Sequence, residues 1–413
     1  MRPTTRRALL AVAAVLVPAT AFAGGYIVPN TNPRDMGLAD SAVAAQYGAA
    51  ATVKNPSALA GQEGFAFSVS GSLIDLESTW SDSFGLSPKR NDSASLTTRP
   101  AFPPTLFASY GGKYNAMGIG VGAGLSVPGG GQVYWPGGWT GATSVTTVDR
   151  RIYGIYAMVA VQPIPQVKLG GGLVYYRGTE HLTQDVNFLG QTGGAELGTA
   201  GGAPSFDLSA ELTPVANLPL TFGFDYKHQA SIDFKGFAHF DNAPPGLKTG
   251  ALDQRVTHAL TFPNQFNAGV AFRPIAKLLL SAGFTFERFV VYRQDAFIGA
   301  LGTTVTVPRD YRNGQTYRLG AEYALLPAVK VRAGVLRDIS PTNTDRLDPS
   351  IPDANSTAVT VGASLNLTPG LELSAAYFFD REDTTTTTSA DTFQGSYNTH
   401  SNIFSVGLAY RLK

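Results

Sequence analysis

Apolar and polar residues alternate with a period of two from about residue 64 onward, which predicts β-strands rather than helices. Segment 277–287 is an example, with large apolar side chains on one face and small or polar residues on the other. Alternation fits a soluble β-sandwich, whose apolar faces pack inward. It also fits an outer-membrane barrel, whose apolar faces contact lipid. The apolar face of this segment comprises Leu278, Leu280, Ala282, Phe284 and Phe286.

The connections between these segments favour the barrel. Short turns such as 163–165 and 369–370 alternate without exception with long polar loops such as 77–103 and 231–257. Bacterial outer-membrane barrels have short periplasmic turns, long external loops and an even number of strands. We therefore predict an all-β fold, a fourteen-stranded antiparallel transmembrane β-barrel with both termini in the periplasm. The predicted strands are 64–76, 104–112, 115–127, 145–162, 166–179, 204–213, 219–230, 258–273, 276–292, 311–325, 329–338, 357–368, 370–381 and 401–412.

Residues 1–23 have the features of a secretory signal peptide. Basic residues precede an apolar run at 8–17, and Ala21-Phe22-Ala23 is a small-x-small cleavage site. A membrane anchor is disfavoured, because the apolar run is short and Pro18 interrupts it. We therefore expect an exported protein that begins at Gly24 and resides in the bacterial outer membrane.

Composition excludes several functional classes. The net charge of +1 suggests no nucleic-acid partner, and the absence of Cys excludes a disulfide framework and a thiol nucleophile. The five His residues have no spacing typical of a metal site or a catalytic triad. We predict no cofactor, no metal and no enzymatic activity, so an outer-membrane phospholipase or protease is disfavoured.

Residues 24–62 do not continue the strand pattern. They combine turn formers with small residues and end in Asn55-Pro56-Ser57, a turn signal. A fourteen-stranded barrel encloses more volume than its own wall side chains fill. We predict that 24–62 form a hatch inside the lumen of a barrel built from 63–413. The alternative is a disordered periplasmic tail.

Several segments resemble the FadL-type outer-membrane transporters of long-chain fatty acids and other hydrophobic compounds. They are 37–42 with Asn55-Pro56-Ser57, where the family usually has Asn-Pro-Ala, and also 262–274, 317–323 and 331–334. The resemblance covers essentially the whole mature chain. It implies a monomeric barrel closed by the hatch, with ligand capture by external loops and a pocket above the hatch. It also implies lateral exit into the membrane through a gap at a kinked third strand, driven by diffusion.

The third predicted strand has glycine at every second position, so one of its faces has no side chains. With the resemblance in view, we interpret this face as the lateral opening. Alternatively, the glycines make room for the hatch or mark a bulge. The four residues are Gly118, Gly120, Gly122 and Gly124.

Two groups of side chains are candidates for ligand contact. Tyr134, Trp135 and Trp139 lie in an external loop and are predicted to form an exposed capture groove, unless they anchor the interface or pack within the loop. A fatty-acid carboxylate needs a cation, and alternation directs three basic residues toward the lumen. Arg177, Arg150 and Arg151 lie on strands whose alternation does not fix which face they occupy. Alternatively, such residues form ion pairs with lumen carboxylates such as Glu322 and Glu372. The carboxylate-binding candidates are Arg177, Arg318, Lys330 and Arg332.

We therefore predict passive uptake of long-chain fatty acids or other hydrophobic small molecules across the outer membrane. A porin for polar solutes and a structural or adhesive barrel remain as alternatives. The expected partners are the ligand, the surrounding lipid and lipopolysaccharide, and the barrel-assembly machinery, which we expect to recognise Tyr410 in the last strand. The sequence does not distinguish fatty acids from aromatic hydrocarbons.

Overall fold

The computed structural model describes residues 25–28, 32–85, 92–188, 190–215, 218–242, 250, 252–387 and 393–412. The predicted signal peptide and Gly24 lie outside these residues. No helix in the described ranges is long and apolar enough to span a membrane. The strands are β1 (Gly64–Ser81), β2 (Ser93–Ser95), β3 (Pro104–Tyr114), β4 (Met117–Tyr134), β5 (Thr147–Ile164), β6 (Val167–Phe188), β7 (Gln191–Leu212), β8 (Leu220–Lys227), β9 (Ala230–Phe240), β10 (Gln254–Phe262), β11 (Gln265–Ile275), β12 (Leu278–Glu287), β13 (Gln294–Gly299), β14 (Thr304–Pro308), β15 (Gly314–Leu326), β16 (Val329–Ile339), β17 (Ser356–Thr368), β18 (Leu371–Glu382), β19 (Thr385–Thr387) and β20 (Gly395–Leu412).

The sheet closes into a barrel because the first and last strands pair along their whole length. β1 lies antiparallel to β20, from Phe65 opposite Leu412 to Ser81 opposite Ser396. The pairs β8/β9, β10/β11, β12/β13 and β14/β15 each occupy one position in the wall, whereas β2 and β19 pair with the external ends of β1 and β20. The wall therefore has fourteen antiparallel positions, and the predicted fold class is confirmed.

Several strands extend further outward than the alternation predicted. The predicted loop 180–203 is a β-hairpin, in which β6 and β7 remain paired up to Phe188 and Gln191. Its inward positions continue the apolar alternation with Leu182 and Val186, both buried. Polar residues at the intervening positions obscured this pattern in the sequence. In contrast, the predicted strand 276–292 ends earlier, at Glu287.

The outward face of the wall is apolar, as expected for contact with lipid. Exposed side chains on this face include Leu173, Val159, Leu319 and Val406. The inward positions of the same strands include buried polar residues such as Glu180 on β6 and Ser405 on β20. Each strand thus presents one face to lipid and the other to the barrel interior.

Short helical segments fill the lumen before β1. They are α1 (Pro33–Met36), α2 (Ala51–Lys54) and two 3₁₀ turns, Val43–Ala45 and Pro56–Gly61. Asn32 and Asn55 cap two of these segments, and each is followed by a proline whose missing N–H costs nothing at that position. We use the term hatch below for the described residues 32–62, whose larger apolar side chains Met36, Leu38 and Leu59 are buried.

Hydrogen bonds tie the hatch to several sides of the wall. Ser57 N donates to Ser209 Oγ at 2.8 Å, and Ala39 N donates to Thr360 Oγ1 at 3.1 Å. Lys227 Nζ donates to the carbonyl of Val53 at 2.7 Å. The same ammonium lies within 3.3 Å of the buried carboxylates of Asp207 and Asp225.

The glycine face of β4 is in close contact with the hatch. A Cβ atom added at Gly118 would lie 2.4 Å from the carbonyl oxygen of Ala60, and one at Gly120 would lie 2.3 Å from that of Leu59. At Gly122 it would lie 2.4 Å from Thr52 Oγ1, whereas at Gly124 it would meet the Phe107 ring at 2.1 Å. Three of the four glycines therefore make room for the hatch. This is the alternative interpretation of the glycine face, not the lateral opening.

This contact makes Gly120 intolerant of a side chain. Gly120→Ala should lower the free energy of unfolding by about 1–3 kcal/mol, because the new methyl group overlaps the backbone of the hatch. Equilibrium unfolding by urea in lipid vesicles measures this change.

Gly71→Ala is the matched control, because a Cβ atom at Gly71 meets nothing within 4 Å. Its effect should stay within about 0.5 kcal/mol. Equal stabilities of the two variants would show that the hatch does not press against β4.

Candidate functional site

The third wall strand, β4, is interrupted near its middle. Its pairing with β3 ends at Leu125, and its register with β5 shifts between Ser126 and Gly129. Pro128 lies inside this irregularity and has no N–H to give to a ladder. A register shift of this kind is a β-bulge, which bends the strand and leaves part of the ladder unformed.

Between β2 and β3, the described chain that runs between β1 and β4 does not form a regular strand. Residues 96–103 run through this part of the wall and are held by few backbone bonds, such as Ala101 N to Ile74 O at 2.9 Å and Thr97 N to Tyr134 O at 2.7 Å. Prolines at 100, 103 and 104 further reduce the number of donors in this stretch.

The loss of pairing leaves a cavity of about 170 Å³ in the wall, which we call the wall cavity. The inward-facing Ile74 and Arg150 line it, and so do the outward-facing Arg151 and Tyr153. Phe102, which is 72% exposed, lies at its rim. Because both faces of the wall contribute, the cavity lies within the thickness of the barrel.

Residues 25–28 cover the bulge from inside. Val28 N donates to Pro128 O at 3.1 Å, and Gly130 N donates to Tyr26 O at 3.0 Å. Val28 and Val127 line the wall cavity and also an interior cavity of about 120 Å³ next to the hatch. The N-terminal segment therefore separates the barrel interior from the wall cavity.

Two further contacts fix this segment. The ring of Tyr26 makes edge contacts with Phe262, Phe289 and Tyr292, with ring centroids 5.4–5.5 Å apart. Gly25 N donates to Asp353 Oδ2 at 3.1 Å. Burial raises the pKa of the Asp353 carboxyl to about 8, although hydrogen bonds from neighbouring hydroxyl groups oppose this shift.

The interior around Tyr26 is apolar and aromatic rather than polar. An apolar cluster extends from the hatch to the external half of the barrel, and a second apolar cluster follows at the external end. Barrel lumens that conduct polar solutes are lined by polar residues. The first cluster includes Leu59, Ile152, Met158, Val174, Tyr176, Ile232, Phe234, Leu260 and Phe262.

The predicted exposed capture groove is wrong for its two tryptophans. Trp135 and Trp139 are 5% and 7% exposed, and their rings stack with centroids 4.4 Å apart. Trp80 of β1 packs edge-on against Trp139, so the end of β1 and the loop after β4 bury these rings together over the external end of the barrel. Tyr134 is half-buried and donates to Asp149 at 3.0 Å.

A model of the family described as outer membrane protein transport protein (OMPP1/FadL/TodX) matches residues 14–412. The chain belongs to the FadL/TodX family. It is therefore an outer-membrane transport protein of a family that carries hydrophobic compounds. Searching curated protein sequences gave no significant match.

Solved structures share the fold of this FadL/TodX-family chain. A Pseudomonas aeruginosa FadL homologue is 20% identical over 94% of this chain and 100% of that chain, with a TM-score of 0.81. The P. putida toluene transporter TodX is 15% identical over 89% and 95% of the two chains, with a TM-score of 0.68. The Ralstonia pickettii toluene transporter TbuX is 15% identical over 92% and 98%, with a TM-score of 0.65.

The predicted basic residues of the FadL/TodX-family chain do not come together. Arg332 is buried and donates to Glu322 at 2.7 Å, and Lys330 lies 4.0 Å from the same carboxylate. Arg318 donates to Thr285 Oγ1 at 2.6 Å and lines the interior cavity. Arg177, whose direction the sequence did not fix, is exposed on the outward face of β6 and therefore does not line the lumen.

Lys330 also lines a large cavity on the other side of the hatch. This cavity of about 1160 Å³ is lined by residues of the short turns, such as Pro327 and Pro369, and we call it the periplasmic cavity. Hatch residues Arg34 and Tyr47 form part of its lining. The hatch thus lies between the periplasmic cavity and the apolar interior.

The structure adds one basic residue to the site, Arg150. Its Nε donates to buried Glu180, which also accepts from His258 Nε2 at 2.5 Å and Thr199 Oγ1 at 3.1 Å. Both Nη atoms of Arg150 are buried without a hydrogen-bond partner among the described residues, and Arg150 lines the wall cavity. Sequence alternation missed it because Arg150 and Arg151 are adjacent and give no phase.

Metal chemistry has no counterpart in this site. No group of three or more His, Cys, Asp or Glu side chains in the described ranges is arranged to hold a metal ion. The site consists of an apolar interior, a thin partition and a cavity in the wall.

Proposed function

We propose that the protein takes up long-chain fatty acids or similar hydrophobic molecules by passive diffusion, and that they leave sideways through the wall cavity. The observation that carries this proposal is the bulge in β4, where only the N-terminal segment separates the interior cavity from the wall cavity. Three of the four glycines of β4 support this path indirectly, because they seat the hatch beneath it.

An apolar interior favours such cargo. Each methylene group transferred from water to an apolar site contributes about 0.8 kcal/mol. The interior cavity is small, so cargo must displace residues 25–28 to pass. That displacement breaks the backbone bonds of Tyr26 and Val28 to β4, and each such bond contributes about 0.5–1.5 kcal/mol. Binding of a long alkyl chain is sufficient to offset this cost.

Capture begins at the external apolar cluster. Trp135 and Trp139 are buried there, so we propose that ligand enters by separating the packed loops rather than by landing on an exposed groove. The surrounding lipopolysaccharide leaflet resists apolar solutes, whereas the barrel interior shields them. We propose that the protein acts as a monomer without catalysis, and that the barrel-assembly machinery inserts it.

The hatch argues against the porin alternative. It fills the lumen between the apolar interior and the periplasmic cavity, and its backbone contacts the wall on several sides. A polar solute would have to displace the whole hatch to pass along the axis. An apolar molecule that leaves through the wall displaces only the N-terminal segment.

Arg150 is our preferred partner for a fatty-acid carboxylate. Its two free Nη atoms can form the bidentate pair that guanidinium and carboxylate groups favour. Arg318 is the second candidate, because it lines the interior cavity and makes one hydrogen bond, to a hydroxyl group. Arg332 and Lys330 are less suitable because Glu322 already pairs with both.

Filling the wall cavity should block exit. Ala101→Trp places an indole ring in this cavity of about 170 Å³. We expect uptake of labelled oleate into cells to fall about tenfold or more, which corresponds to a barrier raised by about 1.4 kcal/mol.

Ala157→Trp is the matched control, since Ala157 faces outward on β5 and does not line the cavity. Its uptake should equal that of the wild type. Normal oleate uptake by a correctly inserted Ala101→Trp protein would rule out exit through the wall cavity.

If Arg150 binds the carboxylate, its removal should weaken the binding of fatty acids but not the uptake of uncharged hydrocarbons. Arg150→Met combined with Glu180→Gln removes the cation without leaving a buried carboxylate unpaired. Oleate affinity should fall about 10- to 100-fold, the range expected for a charged hydrogen bond, while toluene uptake stays unchanged.

Arg332→Met with Glu322→Gln provides the control, because Glu322 of this ion pair lines the periplasmic cavity and neither residue lines the wall cavity. Isothermal titration in detergent measures the oleate affinity of both double variants. Equal oleate affinity of the Arg150 double variant and the wild type would show that Arg150 does not bind the carboxylate. Arg318 would then be the next candidate.

A further inference from the structure

A basic patch lies on the outward face of the wall above the apolar band. Arg177 on β6, Lys235 on β9 and Arg255 on β10 are all exposed and point away from the lumen. We define these three residues as the basic patch. We propose that it binds the phosphate groups of lipid A, the membrane anchor of lipopolysaccharide.

Strand registers place these residues at nearly the same height. Thr179 on β6 lies opposite Ala200 on β7, which lies opposite Lys235 on β9. Arg177 is two residues below this row, and Arg255, opposite Phe237, is two residues above it. Strand spacing and rise put the Cα atoms of Arg177 and Lys235 about 12 Å apart. The two charges thus suit phosphates at opposite ends of a disaccharide.

The height of the patch corresponds to the edge of the lipid-facing surface. Leu173 and Tyr175, on the same outward face of β6, are 70% and 47% exposed and lie directly below Arg177. An apolar band that ends in tyrosine and then arginine is typical of a membrane boundary. The long connections lie above this edge, so it faces the outer leaflet, where lipid A phosphates reside.

β7 forms a shallow trough between the basic side chains. Its outward residues at this height are Gly198, Ala200 and Gly202, and a Cβ atom at Gly198 would meet nothing within 4 Å. Arg177 reaches into the trough and donates to the carbonyl of Gly201 at 3.3 Å. A sugar phosphate can therefore approach the wall closely between the two flanking strands.

The charges of the patch are not neutralised by the protein. Among the described residues, none of the three basic side chains has a carboxylate within ion-pair distance. Asp233 shares the face but forms no ion pair with them. Two other outward-facing basic residues are paired, Arg337 with Asp383 at 2.5 Å and Arg151 with Asp149 at 2.8 Å. The unpaired cations favour an external anion.

Phosphate recognition also explains the choice of side chains. Arginine forms paired hydrogen bonds with phosphate oxygens, and lysine provides a compact charge beside it. Arg151, on the row of Lys235, lines the wall cavity. Bound lipid A would therefore lie beside the proposed exit. The proposal itself does not depend on transport, because it concerns only the outer surface.

Native mass spectrometry of the full-length protein in detergent tests the proposal. Purified diphosphoryl lipid A, monophosphoryl lipid A and phosphatidylglycerol are the probes. We expect diphosphoryl lipid A to bind at least about tenfold more tightly than the other two, a difference of about 1.4 kcal/mol. The triple variant Arg177→Gln, Lys235→Gln and Arg255→Gln should lose this preference.

A second triple variant removes the same charge from paired residues. Lys113→Gln, Arg293→Gln and Arg337→Gln each remove a basic residue that already has an acidic neighbour, and lipid A binding should stay within about twofold of the wild type. Heat-modifiable mobility in gels confirms folding of both variants. Equal lipid A binding by the patch variant and the wild type, or equal binding of phosphatidylglycerol, would overturn the proposal.

Discussion

The closed state of this barrel depends on backbone groups that the bulged β4 strand leaves without a partner in the wall. Inside a membrane, an unpaired peptide group is costly because no water is available to replace its partner. Tyr26 and Val28 supply the missing bonds from inside, at Gly130 and Pro128. The N-terminal segment therefore seals the wall, and in the proposed path it is the part that cargo displaces.

Close packing of the hatch explains part of the unusual glycine content, 46 of 413 residues. Glycines on strands around the barrel face the hatch at distances too short for a side chain. Gly170 approaches Ser57, Gly223 approaches Ala44 and Gly334 approaches Ala39, each within 2.4–2.7 Å of an added Cβ atom. A wall without side chains at these points lets a compact segment fill the lumen, so the axial path is closed by packing rather than by charge.

The sequence predicted the number and order of the wall strands because each strand has its own alternation of apolar and polar residues, which does not depend on distant contacts. It did not predict that β6 and β7 remain paired to Phe188 and Gln191, since polar residues interrupt the pattern there. Burial of Trp135 and Trp139 depends on which loops meet above the barrel. The inward direction of the Arg150 side chain likewise depends on the register of β5 in the wall. Tertiary contacts determine these features, so local spacing does not reveal them.

Two routes share one entrance: one runs along the barrel axis past the hatch, and the other runs sideways through the wall. Photo-crosslinking of a long-chain fatty acid with a diazirine near its methyl end, followed by peptide mass spectrometry, distinguishes them directly. We predict labelling at 100–104 and 127–132, the residues around the wall cavity. Labelling of residues that line the periplasmic cavity, such as Tyr47 and Lys330, without labelling of the wall cavity would contradict lateral exit.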